Sequence, residues 1–347
     1  VDDRATLPGA IPFSEAPRLL SRRDYVANSN DSYWLSNPAE PLSGYSLRYG
    51  EIETPRSLRT RMGLTQLDES AVWDRQGLQD LLFANRSYTG VLWRDDFTNY
   101  CSGFTTATSS TGESVDITDA CNALINWDGG FNLESMGAIV LREMLTNVDS
   151  YGLFDGESFF SQAFDIQAPV ATPAGLNAAG EDFLLTQLAD AVLRLQQVGI
   201  PADAPLGEHQ YTLRGSERFA VHGGLQAADG AFNKVQYTFD PALNTTLLPP
   251  IPRPEVVNPD TDLTVDGYLM NYGGSFILTV GFTDDGPVAD AILTYSQSVD
   301  ARSPHYSDQN PLYSSKTWRP LAFTRSQIEA DPALTATTVS NQAGGGS

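Results

Sequence analysis

Lysine is almost missing from this chain of 347 residues. Lys234 and Lys316 are the only two, and 21 basic side chains in all face 43 acidic ones, for a net charge of −22. So little positive charge excludes a surface that tracks phosphate backbones, which needs clustered Lys and Arg. It also argues against lying on an anionic membrane. No apolar run approaches the roughly 18 residues of a membrane span. Histidine is equally scarce: His209, His222 and His305 are the three, and no pair has helical metal spacing. With two cysteines besides, no zinc set can be assembled, and no metal or cofactor is expected. A phosphate-cradling glycine loop and a Gly-x-Ser-x-Gly elbow are both absent. The pairs Gly129-Gly130, Gly223-Gly224 and Gly273-Gly274 read as turn or strand-edge glycines. There is no internal repeat. The first residues, Val1-Asp2-Asp3-Arg4, lack an initiator Met and the regions of a signal peptide. The expectation is therefore a processing product or a piece of a longer chain. Gly344-Gly345-Gly346-Ser347 reads as a flexible tail.

What is present is globular: 41% hydrophobic and 10% aromatic residues are enough for a sizeable core. Cys101 and Cys121 are either two buried thiols or one disulfide closing a Ser/Thr/Gly-rich loop. The disulfide is favoured, because that loop has little else to order it, and it would imply an oxidising compartment. Residues 1–50 look irregular, with prolines at 8, 12, 17, 38 and 41. Within them Asp24–Asn30 is a short strand candidate, with Val26, Asn28 and Asn30 on one face and Tyr25, Ala27 and Ser29 on the other.

Residues 51–204 read as mainly helical. Thr54-Pro55-Arg56 is a helix-start signal. Helical spacing continues through Leu58, Met62 and the 71–86 stretch, then Asp116–Asn126, Leu133–Asn147 and Phe183–Leu195, which Gly199-Ile200-Pro201 stops. Residues 205–330 read as mainly strands: Glu208–Leu213, Arg218–His222, Ser275–Phe282 and Val288–Tyr295, with Pro249–Pro259 as a rigid connection. An early strand, then helices, then strands predicts an α+β fold, in which strand 24–30 shares the sheet of 275–295.

Carboxylates are abundant, but no pair is singled out. His209 and His222 fall in strand-like segments and read as ordinary histidines. The remaining cluster is Asn28-Ser29-Asn30-Asp31-Ser32. It is either a strand-terminating turn or a side-chain amide aimed at a developing oxyanion.

The run Tyr25-Val26-Ala27-Asn28-Ser29-Asn30-Asp31-Ser32-Tyr33-Trp34-Leu35-Ser36-Asn37-Pro38 resembles the penicillin acylase family of N-terminal nucleophile hydrolases, in its acyl-homoserine lactone and aculeacin acylase branch. Further segments agree in order. Arg56-Ser57-Leu58-Arg59-Thr60-Arg61 is similar to the family's Arg-led helix. Cys101 and Cys121, followed by Asn126-Trp127-Asp128-Gly129, resemble its cysteine pair and Trp-Asp-Gly turn. Val221-His222-Gly223-Gly224 and Ser303–Gln309 match late motifs.

The resemblance implies an αββα sandwich and a precursor that cuts itself into two chains. It implies an N-terminal Ser nucleophile whose own α-amine acts as base, since that amine titrates near 7.7–8.0. Asn30 would donate to the oxyanion, with Asn28 as the fallback, and Arg56 would support that amide and the substrate. Val1 is not a nucleophile, so the nucleophile is expected on another chain of the same processed precursor. Residues 1–343 would then be the C-terminal portion of one catalytic domain. The expected function is hydrolysis of an N-acyl amide, such as an acyl-homoserine lactone, a lipopeptide or a β-lactam side chain, in the periplasm or outside a bacterial cell. A non-catalytic binding or structural relative is the rival, and an acidic glycan-binding module a third. The triplets Asn85-Arg86-Ser87 and Asn244-Thr245-Thr246 are possible glycosylation sites.

Overall fold

A computed structural model describes residues 11–18, 22–146, 159–225, 229–238 and 253–338. The Val1 start, the Asn244 triplet, the 249–252 part of the proline-rich connection and the 344–347 tail lie outside these residues. Six helices come before residue 200 among the described residues: α1 (Leu58–Leu67), α2 (Arg75–Phe83), α3 (Tyr88–Cys101), α4 (Thr118–Ile125), α5 (Ala138–Met144) and α6 (Ala178–Val198). A small hairpin, β1 (Thr106–Thr108) and β2 (Ser114–Asp116), interrupts them. Later come α7 (Leu206–His209), α8 (Asn310–Ser314) and α9 (Arg325–Glu329). The later strands are β3 (Gln210–Arg214), β4 (Glu217–Ala220), β5 (Val235–Gln236), β6 (Val256–Asn258), β7 (Leu263–Thr264), β8 (Gly267–Leu269), β9 (Tyr272–Gly273), β10 (Phe276–Thr283), β11 (Gly286–Leu293) and β12 (Arg319–Leu321). The fold is α+β.

The helices start where a short polar side chain can take up a free amide. Asp74 accepts from the Gly77 N–H at 2.7 Å, Ser87 from Gly90 at 3.1 Å and Asn177 from Gly180 at 2.9 Å. Gly199 ends α6 in the left-handed region, as its position predicts. α1 starts later than Thr54-Pro55 suggests, because Ser57 is its cap. Thr54 is occupied elsewhere: its carbonyl and hydroxyl both accept from Arg56. α5 is shorter than Leu133–Asn147, since Gly137 takes a left-handed φ of 85° immediately before it. Residues 256–258, expected as part of a rigid linker, form β6 and pair with β7.

The core lies between the helices and a five-stranded sheet of order β4-β3-β8-β7-β6, in which only the described β3–β8 pairing is parallel. Met62, Phe97, Ile117, Phe131, Leu188 and Tyr268 are fully buried there. A second sheet, β10-β11-β12, is antiparallel. The cysteines form a disulfide, Cys101–Cys121, whose Cα atoms are 6.0 Å apart. It closes the loop that carries β1 and β2. In the chain-entropy picture such a closure is worth about 3 kcal/mol.

The strand expected at 24–30 does not form. The segment is extended but joins no sheet. Its residues alternate as expected, with Val26, Asn28 and Asn30 exposed and Ser29 buried. The physical reason is local bonding. The Ala27 N–H donates to Ser36 O at 2.8 Å, and the Asn28 side chain accepts from the Asn30 N–H at 2.9 Å. Asn30 then turns to a φ of 59°, which ends any strand and which Asn tolerates better than most residues. Backbone groups satisfied in this way have no need of a distant sheet. The segment instead packs on a small cluster of Trp34, Leu35 and Leu64 against α1.

One ion pair lies at the centre of the molecule. Arg142 and Asp229 are both completely buried. Arg142 donates from Nε and Nη2 to Asp229 at 3.0 and 2.6 Å, and from Nη1 to Gln210 at 2.7 Å. Gln210 in turn donates to the carbonyls of Val221 and Gly223. This network joins α5, β3, residues 221–225 and Asp229. Removing one partner leaves a buried charge without compensation. Arg142→Met should therefore lower unfolding stability by about 3–5 kcal/mol in urea denaturation. A loss under about 1 kcal/mol would show that the pair does not hold these segments together.

Candidate functional site

Asn30 sits at the end of the extended segment, on the wall of a cleft of about 400 Å³. Arg59, Phe232, Lys234, Tyr272 and the start of β10 line the same cleft. Helix α1 sets the position of Arg59. Its guanidinium donates to Asn30 Oδ1 at 3.1 Å, to Ser29 O at 2.6 Å and to Phe232 O at 3.1 Å. An arginine only donates, so this contact fixes which end of the Asn30 amide is oxygen. The Nδ2 end has no partner among the described residues. The result is an oriented carboxamide with a free donor beside a cleft. Asn28 is differently engaged: its oxygen holds the Asn30 N–H, and its nitrogen donates to Asp31 O at 3.2 Å.

Arg56, the arginine expected to support the amide, lies just before the Ser57 cap of α1 and is buried. It bonds Asp31 Oδ1 at 3.0 Å and Thr54, and lies over the Trp34 ring at 5.7 Å. It therefore acts on the residue after Asn30, while Arg59 holds Asn30 itself. Asp31 also accepts from the Thr60 hydroxyl at 2.7 Å and from the backbone of Ser57 and Ser32. Burial opposes ionisation of Asp31, but the Arg56 charge and these hydrogen bonds outweigh it and hold its pKa below the ordinary range. Asp31 thereby clamps the Asn28–Ser32 turn onto the start of α1.

Behind the cleft lies a neutral histidine. His222 is fully buried, and burial pushes its pKa down to about 3. Its Nε2 faces the Tyr313 carbonyl at 2.8 Å, so that nitrogen carries the proton. Its Nδ1 is left to accept from the amides of Asn85 and Asn233. The ring also stacks on Tyr313, with centroids 4.2 Å apart. Such a group exchanges no proton near neutral pH, in keeping with a structural reading of this motif. The same network occupies Asn85, which is 1% exposed, so that triplet offers no surface for a glycan. His209 ends α7 rather than lying in a strand, and His305 is exposed beside Asp308. Among the described residues, no three His, Cys, Asp or Glu side chains group to hold a metal.

Comparison with known proteins supplies the lineage. The profile of the penicillin amidase family matches residues 2–330. This chain belongs to the penicillin amidase family. It is 35% identical over 342 residues to aculeacin-A acylase of Actinoplanes utahensis, covering 96% of this chain and 39% of that protein. It is 30% identical over 349 residues to the acyl-homoserine lactone acylase PvdQ of Pseudomonas syringae pv. syringae strain B728a, covering 99% of this chain and 40% of that one. This penicillin amidase family chain thus spans about two fifths of the length of these relatives. Among solved structures, a thermostable penicillin G acylase from Alcaligenes faecalis is similar at 16% identity and a TM-score of 0.41, covering 86% of this chain and 55% of that one.

Arg59 and Lys234 are the site residues that reading the sequence did not single out. For Arg59 a signal existed: it belongs to the same Arg-led run, three residues after Arg56, although Arg56 itself precedes the Ser57 cap of α1. Lys234 has only its rarity.

The Asp31 clamp has a pH signature. A carboxylate held below its ordinary value of 3.8 contributes stability above that pH, and loses it as pH falls through the lower folded value. Asp31→Asn should lower stability at pH 7 by about 1.5–3 kcal/mol, the range for hydrogen bonds to a charged group. It should also flatten the fall in stability below about pH 4. Parallel acid-denaturation curves for the two proteins would contradict the clamp.

Proposed function

We propose that this chain supplies the oxyanion-binding side of an N-acyl amide hydrolase. The carrying observation is the Asn30 carboxamide, whose oxygen Arg59 pins while its Nδ2 stays free beside the cleft. A donor fixed before the reaction needs no reorganisation as negative charge develops.

In this reading the nucleophile is the N-terminal Ser of a chain segment outside these 347 residues, held in the same processed assembly. Its α-amine takes the hydroxyl proton as the oxygen attacks the substrate carbonyl. Asn30 Nδ2 and a backbone N–H share the resulting oxyanion. The intermediate collapses, the C–N bond breaks, and the proton passes to the leaving amine. Water then cleaves the acyl-enzyme by the same steps. Residues 1–343 would be the C-terminal portion of that catalytic domain, its sheets completing an αββα sandwich with the other segments. Support comes from the family membership and from relatives named as acylases of aculeacin A and of acyl-homoserine lactones. The substrate class is an N-acyl compound with an apolar acyl group. The disulfide favours a periplasmic or secreted location.

The test is kinetic, in the acylase assembled from this chain and the rest of its precursor. Asn30→Ala should lower kcat by about 100-fold or more, with little change in KM. A loss below about tenfold would reject Asn30 as the donor. A larger loss in Asn28→Ala than in Asn30→Ala would move the role to Asn28.

A further inference from the structure

The charge of the Asn30 cleft runs against the charge of the chain. In a protein of net charge −22, this cleft holds two cations, Arg59 and Lys234. Among the described residues neither forms an ion pair with a carboxylate, although the Asp31 charge, held by Arg56, also acts on Arg59. Arg59 spends its hydrogen bonds on neutral oxygens: two carbonyls and the Asn30 amide. Lys234 has only the face of Tyr272, with its Nζ 5.3 Å from the ring centroid. The two cations lie near enough that Arg59, after burial, is the further cause that holds the Lys234 pKa below its ordinary value. Like charges gathered in a half-buried cleft are unfavourable unless an anion joins them.

The lysine is held there by the backbone. Lys234 leads into β5, which pairs with β9 so that Val235 lies opposite Gly273. A Cβ on Gly273 would come within 2.2 Å of the Lys234 carbonyl, and Gly273 has a φ of 141°. Only glycine allows these two segments to come so close. That approach sets the lysine against Tyr272 on the cleft wall. The rest of the lining includes Leu82, Phe232 and Ile277, so the cleft offers apolar surface around a cationic point.

We propose that this cleft receives the leaving-group half of the substrate, and that Lys234, with Arg59, binds a carboxylate carried by the departing amine. The substrate class is then an N-acyl amino acid or a similar acylamine bearing an acid. This rests on the acylase reading above, because Asn30 on the same wall marks where the scissile carbonyl lies. A carboxylate there offsets one of the two positive charges without displacing Arg59 from Asn30. Its position follows from the order of the substrate: acyl group, carbonyl at Asn30, amine beyond it, acid at Lys234. Lys234 is in this account a specificity-determining residue and takes no proton from the reacting atoms.

Two measurements on the assembled acylase test this, using N-octanoyl-phenylalanine and its uncharged twin, N-octanoyl-phenylalaninamide. In direct binding by calorimetry, wild type should hold the acid at least about tenfold more tightly than the amide. Lys234→Met should erase that preference, and Lys234→Arg should restore most of it. In turnover, the ratio of kcat/KM for acid over amide should fall by at least about tenfold in Lys234→Met, mainly through KM. Wild type with no preference for the acid, or a preference that survives Lys234→Met, overturns the proposal. A Lys234→Met variant that loses both substrates equally also overturns it, since that marks a structural role. If wild type binds the acid selectively but hydrolyses neither compound, the acylase reading fails while the anion site stands.

Discussion

Three stretches of chain that are remote in sequence meet on one guanidinium. Arg59 belongs to α1, and it takes hold of the Ser29 and Asn30 turn on one side and of Phe232 on the other. Without it the Asn28–Ser32 turn would be tied to the rest by the Asp31 clamp, the Ser32 hydroxyl on Glu51 O and Tyr45, and the small Trp34 cluster. The arginine suits this task because its fork makes several bonds in fixed directions, where a lysine would offer a single point. Burial lowers the Arg59 pKa and the nearby Asp31 opposes that fall, so the cation is retained where it is only partly solvated. The arrangement of the cleft follows from this. The orientation of the Asn30 amide, its free donor and the positive character of the wall all trace to the same side chain.

The neighbouring groups divide the remaining work. Arg56 and Asp31 fix the turn to the helix start, and in doing so remove Thr54 from its capping role and shift the helix start to Ser57. His222, Asn85, Asn233 and Tyr313 form a neutral, hydrogen-bonded floor behind the cleft. The deeper Arg142–Asp229 pair joins helix to sheet beneath that floor. The core thus holds a compensated pair, while Arg59 and Lys234 at the cleft form no ion pair with a carboxylate among the described residues. Neutral oxygens can also hold a buried cation, as the carbonyls of Val170 and Pro173 do for Arg61.

Much of this was readable in advance, and the failures have identifiable causes. Helix α6 was legible because its apolar spacing runs from Phe183 to Leu195, more than three turns, and Gly199 closes it. The β10–β11 hairpin was legible from two strand-like runs around a turn. The cysteine pairing was legible from the loop it closes. The strand at 24–30 was misread because alternation alone does not reveal whether a backbone finds a partner. Here the Asn28 side chain and the Ser36 carbonyl took those hydrogen bonds, and Asn30 turned left-handed. The Asn28–Asn30 cluster itself stood out only through the family resemblance, since an Asn-rich turn is common. Arg59 was hidden by Arg56, three residues earlier and equally arginine. Lys234 was invisible because its meaning depends on Gly273, 39 positions later, which brings β5 and β9 together.

The central claim is that Arg59 acts through Asn30. A double-mutant cycle on kcat, in the assembled acylase with a substrate whose leaving amine is uncharged, addresses this directly. Asn30→Ala and Arg59→Met should each slow turnover strongly. The double variant should be no slower than Asn30→Ala alone, to within about threefold, because an arginine that serves only to orient an amide has nothing left to do once the amide is gone. Losses that multiply in the double variant would contradict the account, since they would make the two residues independent contributors.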